Sequence, residues 1–129
     1  MILNLYRQEL ATVHNINLKP VILFKAKKTI KESEQNKENF HKLIDEFSET
    51  MVDKIKKTST VPIVQKAFQF FLAKNISFNE IAKRIHNNFR EENCLSANND
   101  SEAEKNQILL NTLEDENNPI RAVFAVQKL

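Results

Sequence analysis

Apolar positions along the chain fall into short runs and longer stripes, and the two patterns have different periods. Pro20-Val21-Ile22-Leu23-Phe24 is an unbroken apolar run that ends abruptly in Lys25-Ala26-Lys27-Lys28. Short runs rich in branched and aromatic residues are the pattern of strands buried on both faces. Pro20 suits the start of such a strand, where no ladder hydrogen bond is yet required. A second run, Ile120-Arg121-Ala122-Val123-Phe124-Ala125-Val126, predicts another strand close to the end of the sequence. A weaker and shorter candidate is Asn93-Cys94-Leu95-Ser96-Ala97.

The remaining segments carry helical spacing. Ile2, Leu5, Leu10 and Val13 predict a short amphipathic helix over 2–13, closed by the polar turn His14-Asn15-Ile16-Asn17. From about Thr29 to Lys57, the residues Phe40, Leu43, Ile44, Phe47, Met51 and Ile55 recur at steps of three and four and predict one apolar stripe. Within it, Ile30–Asn39 is more polar and reads as a loop or a fraying first turn. Lys57-Thr58-Ser59-Thr60-Val61-Pro62 is a clear break, with Pro62 suited to the first turn of a new helix. That helix has the apolar face Ile63, Val64, Ala67, Phe68, Phe71 and Leu72. Ser77-Phe78-Asn79-Glu80 is a capping box for the next, whose inner face is Ile81, Ala82, Ile85 and Phe89. Asn98-Asn99-Asp100 reads as a turn and Ser101-Glu102-Ala103-Glu104 as another capping box, opening a helix that carries Ile108, Leu109 and Leu113 and stops before Pro119.

A strand, helices and a much later strand are the signature of a parallel sheet covered by helices, so the fold class is α/β. The helix pair at about 62–89 is larger than a minimal crossover needs and reads as an insertion. Ligands of such sheets gather beyond the carboxyl ends of the strands, which is where Lys25, Lys27 and Lys28 stand.

Composition narrows the functions. At 129 residues the chain is expected to form one domain at most. No run of apolar residues is long enough to span a bilayer and the N-terminus lacks a signal-peptide pattern, so a soluble, cytoplasmic protein with no membrane partner is expected. A net charge of +2 will not hold nucleic acid by bulk charge, and binding would need a local patch. The single Cys94 excludes an internal disulfide and a cysteine-based zinc site. With no glycine at all, the chain has no phosphate-binding loop of the Walker or dinucleotide type.

Candidate chemistry is sparse. His14, His41 and His86 share no ligand spacing, so no metal site is expected, and no histidine is placed by motif to activate Cys94, which reads as a small buried residue. Glu114, Asp115 and Glu116 are adjacent, point different ways and read as a solvated loop. Lys25 and Lys27 alternate onto one side of the strand end, with Lys28 opening the loop. Their bland reading is solubility or edge protection; their functional reading is contact with a phosphate backbone.

Several phrases resemble a known family. Asn17-Leu18-Lys19-Pro20-Val21-Ile22-Leu23-Phe24-Lys25, Leu110-Asn111-Thr112-Leu113-Glu114-Asp115 and Ile120–Val126 look like the second motor lobe of type III restriction enzyme Res subunits, which are superfamily 2 helicase-like ATPases. Glu32-Ser33 and Phe40-His41-Lys42-Leu43-Ile44 fit that family's helix after the first strand. The resemblance implies that residues 1–129 are a fragment of a RecA-like helicase lobe with the helix pair inserted. It implies DNA and a methyltransferase (Mod) subunit as partners of the parent enzyme, and ATP with Mg as its cofactors. By the same resemblance Phe24–Lys28 faces nucleic acid, making Lys25 and Lys27 the nucleic-acid-binding candidates. Val123–Leu129 looks like the lead-in to a loop that couples ATP to DNA. The family's Walker A lysine, acidic box, arginine finger and nuclease domain have no counterpart here, so no catalytic residue is assigned. A lobe cut at this point is expected to leave a sheet edge open to self-association. The alternative is a stand-alone, non-catalytic interaction module or a truncated gene product. In that reading Phe68, Phe70, Phe71 and Phe78 offer a surface to a partner helix; the bland reading packs them on the chain's own sheet.

Overall fold

The computed structural model describes residues 1–16, 18–97, 108–115 and 117–126. In chain order the elements are α1 (Ile2–Val13), β1 (Ile22–Ala26), α2 (Ile30–Glu46), α3 (Glu49–Thr58), α4 (Pro62–Ala73), α5 (Phe78–Asn88), a 3-10 turn (Glu91–Asn93), β2 (Cys94–Ser96) and β3 (Ala122–Val126). Residues 108–111 are also helical. The predicted turn at Asn98–Asp100 and the capping box at Ser101–Glu104 lie outside the described residues.

The chain divides into two compact units: Met1–Pro20 with Asp45–Asn88, and Val21–Ile44 with Phe89–Leu129. The second holds the α/β fold. Among the described residues its sheet has three strands, all parallel, in the order β1-β3-β2. Phe24 is in register with Phe124, and their rings stack with centroids 4.7 Å apart. Phe40 of α2 packs against both rings and edge-on against Phe89. That closes one face of the sheet. On the other face, Val123 and Leu95 meet Ile120 and are covered by Val21, Leu109, Leu110 and Leu113. Buried Asn118 fixes the approach to β3. Its Nδ2 donates to the Leu109 carbonyl at 2.8 Å, and its Oδ1 accepts from the Ile120 N–H at 2.8 Å. The Asn-Pro turn is therefore held by side-chain hydrogen bonds, one of which gives the buried Ile120 N–H its acceptor.

β3 is the central strand, with Ala122, Val123 and Phe124 buried. β1, expected to be buried on both faces, is an outer strand. Leu23 is 53% exposed and Lys25 is exposed, while Ala26 is buried. An apolar run alone does not distinguish a central strand from an edge strand, because that depends on what pairs beside it.

The predicted single stripe over Thr29–Lys57 is two helices. α2 ends at Glu46, and Ser48 caps α3 with its Oγ accepting from the Met51 N–H at 3.3 Å. The break shifts the phase: Phe40, Ile44 and Phe47 are buried, and then Val52 rather than Met51. The polar segment expected to fray is helical from Ile30. Ser33, Phe40 and Ile44 form its inner seam, and Ser33 is 1% exposed, a small residue where α2 packs closely.

In the helical unit, α1, α3, α4 and α5 pack on one another. The predicted helix pair is α4 with α5, joined here by α1 and α3. Phe68 and Phe71 are buried, and Tyr6 of α1 lies edge-on to Phe70 at 5.3 Å and to Phe71 at 6.3 Å. These rings thus pack among the helices of this unit. Arg84 bridges Glu9 of α1 and Glu80 of α5, at 2.9 and 3.1 Å. The missing glycines are replaced at two helix ends. Asn15 and Asn75 have φ of 58° and 57° and sit just past the last residues of α1 and α4. At each, the asparagine N–H and the next N–H close onto the preceding turn: Asn15 to Thr12 and Ile16 to Ala11, Asn75 to Leu72 and Ile76 to Phe71. This is the Schellman arrangement, and asparagine tolerates the left-handed region it requires.

Candidate nucleic-acid interface

The carboxyl end of β1 is built by a cap. Thr29 Oγ1 accepts from the Glu32 N–H at 3.1 Å, opening α2, and Glu32 Oε1 accepts from the Lys27 N–H at 3.5 Å. The chain thus turns from strand to helix through Lys27 and Lys28. Thr29-Ile30-Lys31-Glu32 is a capping-box pattern, and it was the available signal that the polar segment after β1 is helix.

Lys25 lies within β1, on the same face as Leu23. Lys27 lies one residue beyond the strand, in the bend, so strand alternation does not extend to it. Lys25, Lys27, Lys28 and Lys31 are all exposed. Lys31, on the first turn of α2, is a cation that reading the strand alone omits. Two carboxylates stand close by and both are engaged: Glu32 at the cap, and Glu34, whose Oε1 accepts from Ser96 Oγ of β2 at 2.6 Å. Lys25 also lines a depression of about 330 Å³ between β1 and α2, with Phe24, Asn36, Asn39, Phe40 and Leu43. The exposed ammonium groups sit in high dielectric, so their attraction for an anion is modest singly and falls with salt. Neighbouring asparagine amides add neutral donors. Lysines with such amides are the group types that hold phosphate and sugar.

The other candidates do not join this end. Arg121 precedes β3, at the opposite end of the parallel sheet from Lys27, and burial lowers its guanidinium pKa. His14 follows α1, His41 lies in α2, and His86 lies in α5 with its Nε2 against the Phe47 carbonyl. Among the described residues, no three of His, Cys, Asp and Glu are grouped to hold a metal ion. Cys94 is a buried free thiol, with its Sγ 3.6 Å from the carbonyls of Phe89 and Arg90. Burial pushes its pKa up to about 11, with Lys37 opposing and Glu91 adding to the shift. A thiol so disposed is a packing residue and a poor nucleophile. Glu114 and Asp115 are exposed, and Asp115 Oδ1 accepts from the Asn117 N–H at 2.9 Å; Glu116 lies outside the described residues. No described helix is long and apolar enough to cross a membrane.

Over 96% of its length, the chain is 30% identical to the probable type III restriction-modification enzyme HindVIP Res subunit of Haemophilus influenzae, across 147 aligned positions. The chain spans 28% of that protein. The resemblance read from the strand and turn phrases is thus a distant, partial similarity that covers nearly the whole chain. No family model matches the chain, and no solved structure does.

Proposed function

We propose that these residues form part of a Res-type, ATP-dependent motor subunit of a type III restriction enzyme, and that they help shape the side of one RecA-like lobe that faces DNA. The similarity along 96% of the chain carries this reading. The parallel sheet is compatible with it, and so is the placing of four exposed lysines after or beside the carboxyl end of β1. In the whole enzyme the partners would be DNA and a Mod subunit, and the cofactors ATP and Mg²⁺. In this reading the nucleotide is held by other segments of the parent. The chain has no glycine to let backbone amides approach a triphosphate closely. In this reading the chain contributes shape and charge, and the chemistry belongs to other segments of the parent.

Lys25 and Lys27 are assigned to the DNA backbone. The test is Lys25→Ala with Lys27→Ala in the intact enzyme, measuring duplex affinity across a salt series. Each phosphate contact contributes about 0.9 to the slope of log affinity against log salt, so losing two flattens it by about 1.8. An unchanged slope removes the assignment.

A further inference from the structure

In the helical unit, α3, α4 and the loop into α5 leave a groove with two adjoining depressions, of about 330 and 210 Å³, that share Lys56, Phe68 and Leu72. Phe68 forms its floor at 4% exposed, and Leu72 on its wall is 71% exposed. At the end nearer α5, Lys56 Nζ lies 5.4 Å from the centre of the Phe78 ring. The surrounding sequence has one sign of charge. From Lys54 to Asn79 there are lysines at 54, 56, 57, 66 and 74 and no carboxylate. Asp53, just before this stretch, pairs with Lys57 at 2.8 Å.

We propose that this groove is a docking site for an acidic amphipathic helix of a partner protein. The walls are helix side chains whose backbone groups are already used within α3 and α4, so an extended peptide would find no ladder to pair with. A helix satisfies its own backbone and needs only an apolar stripe. Val64 to Leu72 rises about 12 Å along α4, matching two turns of a partner with anchors at i, i+4 and i+7. Lys56, which lines both depressions, favours a carboxylate flanking that stripe, within a stretch of one sign of charge. Single-stranded nucleic acid fits less well. It stacks bases on open aromatic faces, whereas Phe68 is buried and the face of Phe78 is covered by Lys56. This site is separate from the lysines of β1, and its test does not depend on them.

The probes are three stapled helical peptides of about 15 residues with one leucine stripe and Glu, Gln or Lys flanks, long enough to stay helical. Each is titrated into the 129-residue chain and followed by amide and methyl NMR. The expected result is affinity in the order Glu, Gln, Lys, with shifts centred on Val64, Phe68, Leu72 and Ile76. Leu72→Glu should weaken the acidic peptide more than about tenfold, and Lys56→Glu about fivefold. Leu72 is largely exposed, so its variant should keep the fold, which circular dichroism checks. Four results would overturn the proposal: no binding of the acidic peptide, no dependence on flank charge, shifts centred elsewhere, or an oligonucleotide or a second copy of the chain occupying the groove in preference.

Discussion

The two asparagine-closed helix ends allow a quantitative test of the fold. Asn75 holds φ at 57°, and the N–H groups of Asn75 and Ile76 close the last turn of α4 at 3.1 and 2.9 Å. Ile76 and Phe71, the positions whose apolar side chains commonly accompany this motif, line one depression together. A residue with a Cβ loses about 1–2 kcal/mol in the left-handed region, and asparagine recovers part of this through its short polar side chain. Glycine has no such steric cost but brings about 0.4–1 kcal/mol of extra unfolded-state freedom. Asn75→Ala should therefore destabilise the helical unit by about 1 kcal/mol, while Asn75→Gly should be near neutral or mildly stabilising. The chain has one tyrosine and no tryptophan, and Tyr6 packs on Phe70 and Phe71 beside this turn. Its fluorescence during urea unfolding thus reports the same unit. With a denaturant slope of about 1–1.5 kcal/mol per molar, the alanine variant should lose roughly 0.7–1 M in midpoint. An alanine variant as stable as the parent, or a glycine variant as damaged as alanine, would refute the assignment of left-handed strain to this position.

Three other expectations follow from particular contacts. Between pH 9 and about 11 the unfolded chain releases the Cys94 proton while the folded chain retains it, so the folded state binds more protons and stability falls as pH rises. The loss approaches about 2 kcal/mol across that window, and Cys94→Ala should remove it; urea midpoints whose pH dependence is the same with and without the thiol contradict this. Thr29→Ala should cost about 1 kcal/mol and speed amide exchange at Glu32, whose N–H bonds to Thr29 Oγ1; unchanged exchange there argues against the cap. Leu23→Lys on the outer strand should reduce concentration-dependent association in sedimentation velocity, since a charge on an open edge discourages pairing; equal association in both proteins would place self-contact elsewhere.

Where the local signal and the packing agree, the sequence was legible. The stops after Val13 and at Pro62, the Ser77 cap and the run ending at Val126 each mark an element through its own residues. The Ser77 Oγ accepts from the Glu80 N–H at 3.1 Å, as its capping box implies. The stripe from Phe40 to Ile55 misled because its period continues across Phe47-Ser48. A serine cap broke the helix without disturbing the count of apolar residues. The Thr29–Glu32 box is a local signal for the start of α2 that the polarity of Ile30–Asn39 masks. Which face of β1 stays open could not be read locally, since it depends on neighbours in the sheet and not on Leu23 or Lys25. The candidate interface was legible in part: the exposed lysines at the strand end are where the pattern put them, while the bend that takes Lys27 out of the strand comes from the cap. The groove on α4 was signalled by its phenylalanines, yet Leu72, the exposed wall, looked like core because it shares their spacing.

The proposed place of this chain in a motor subunit is tested by the intact mass of the native gene product in its host, against the 15.0 kDa of these residues. A Res-type motor subunit would be a much heavier protein that contains this chain and hydrolyses ATP in a DNA-dependent manner. A native product of 15.0 kDa would contradict it, and the docking groove would then stand as the leading lead to function.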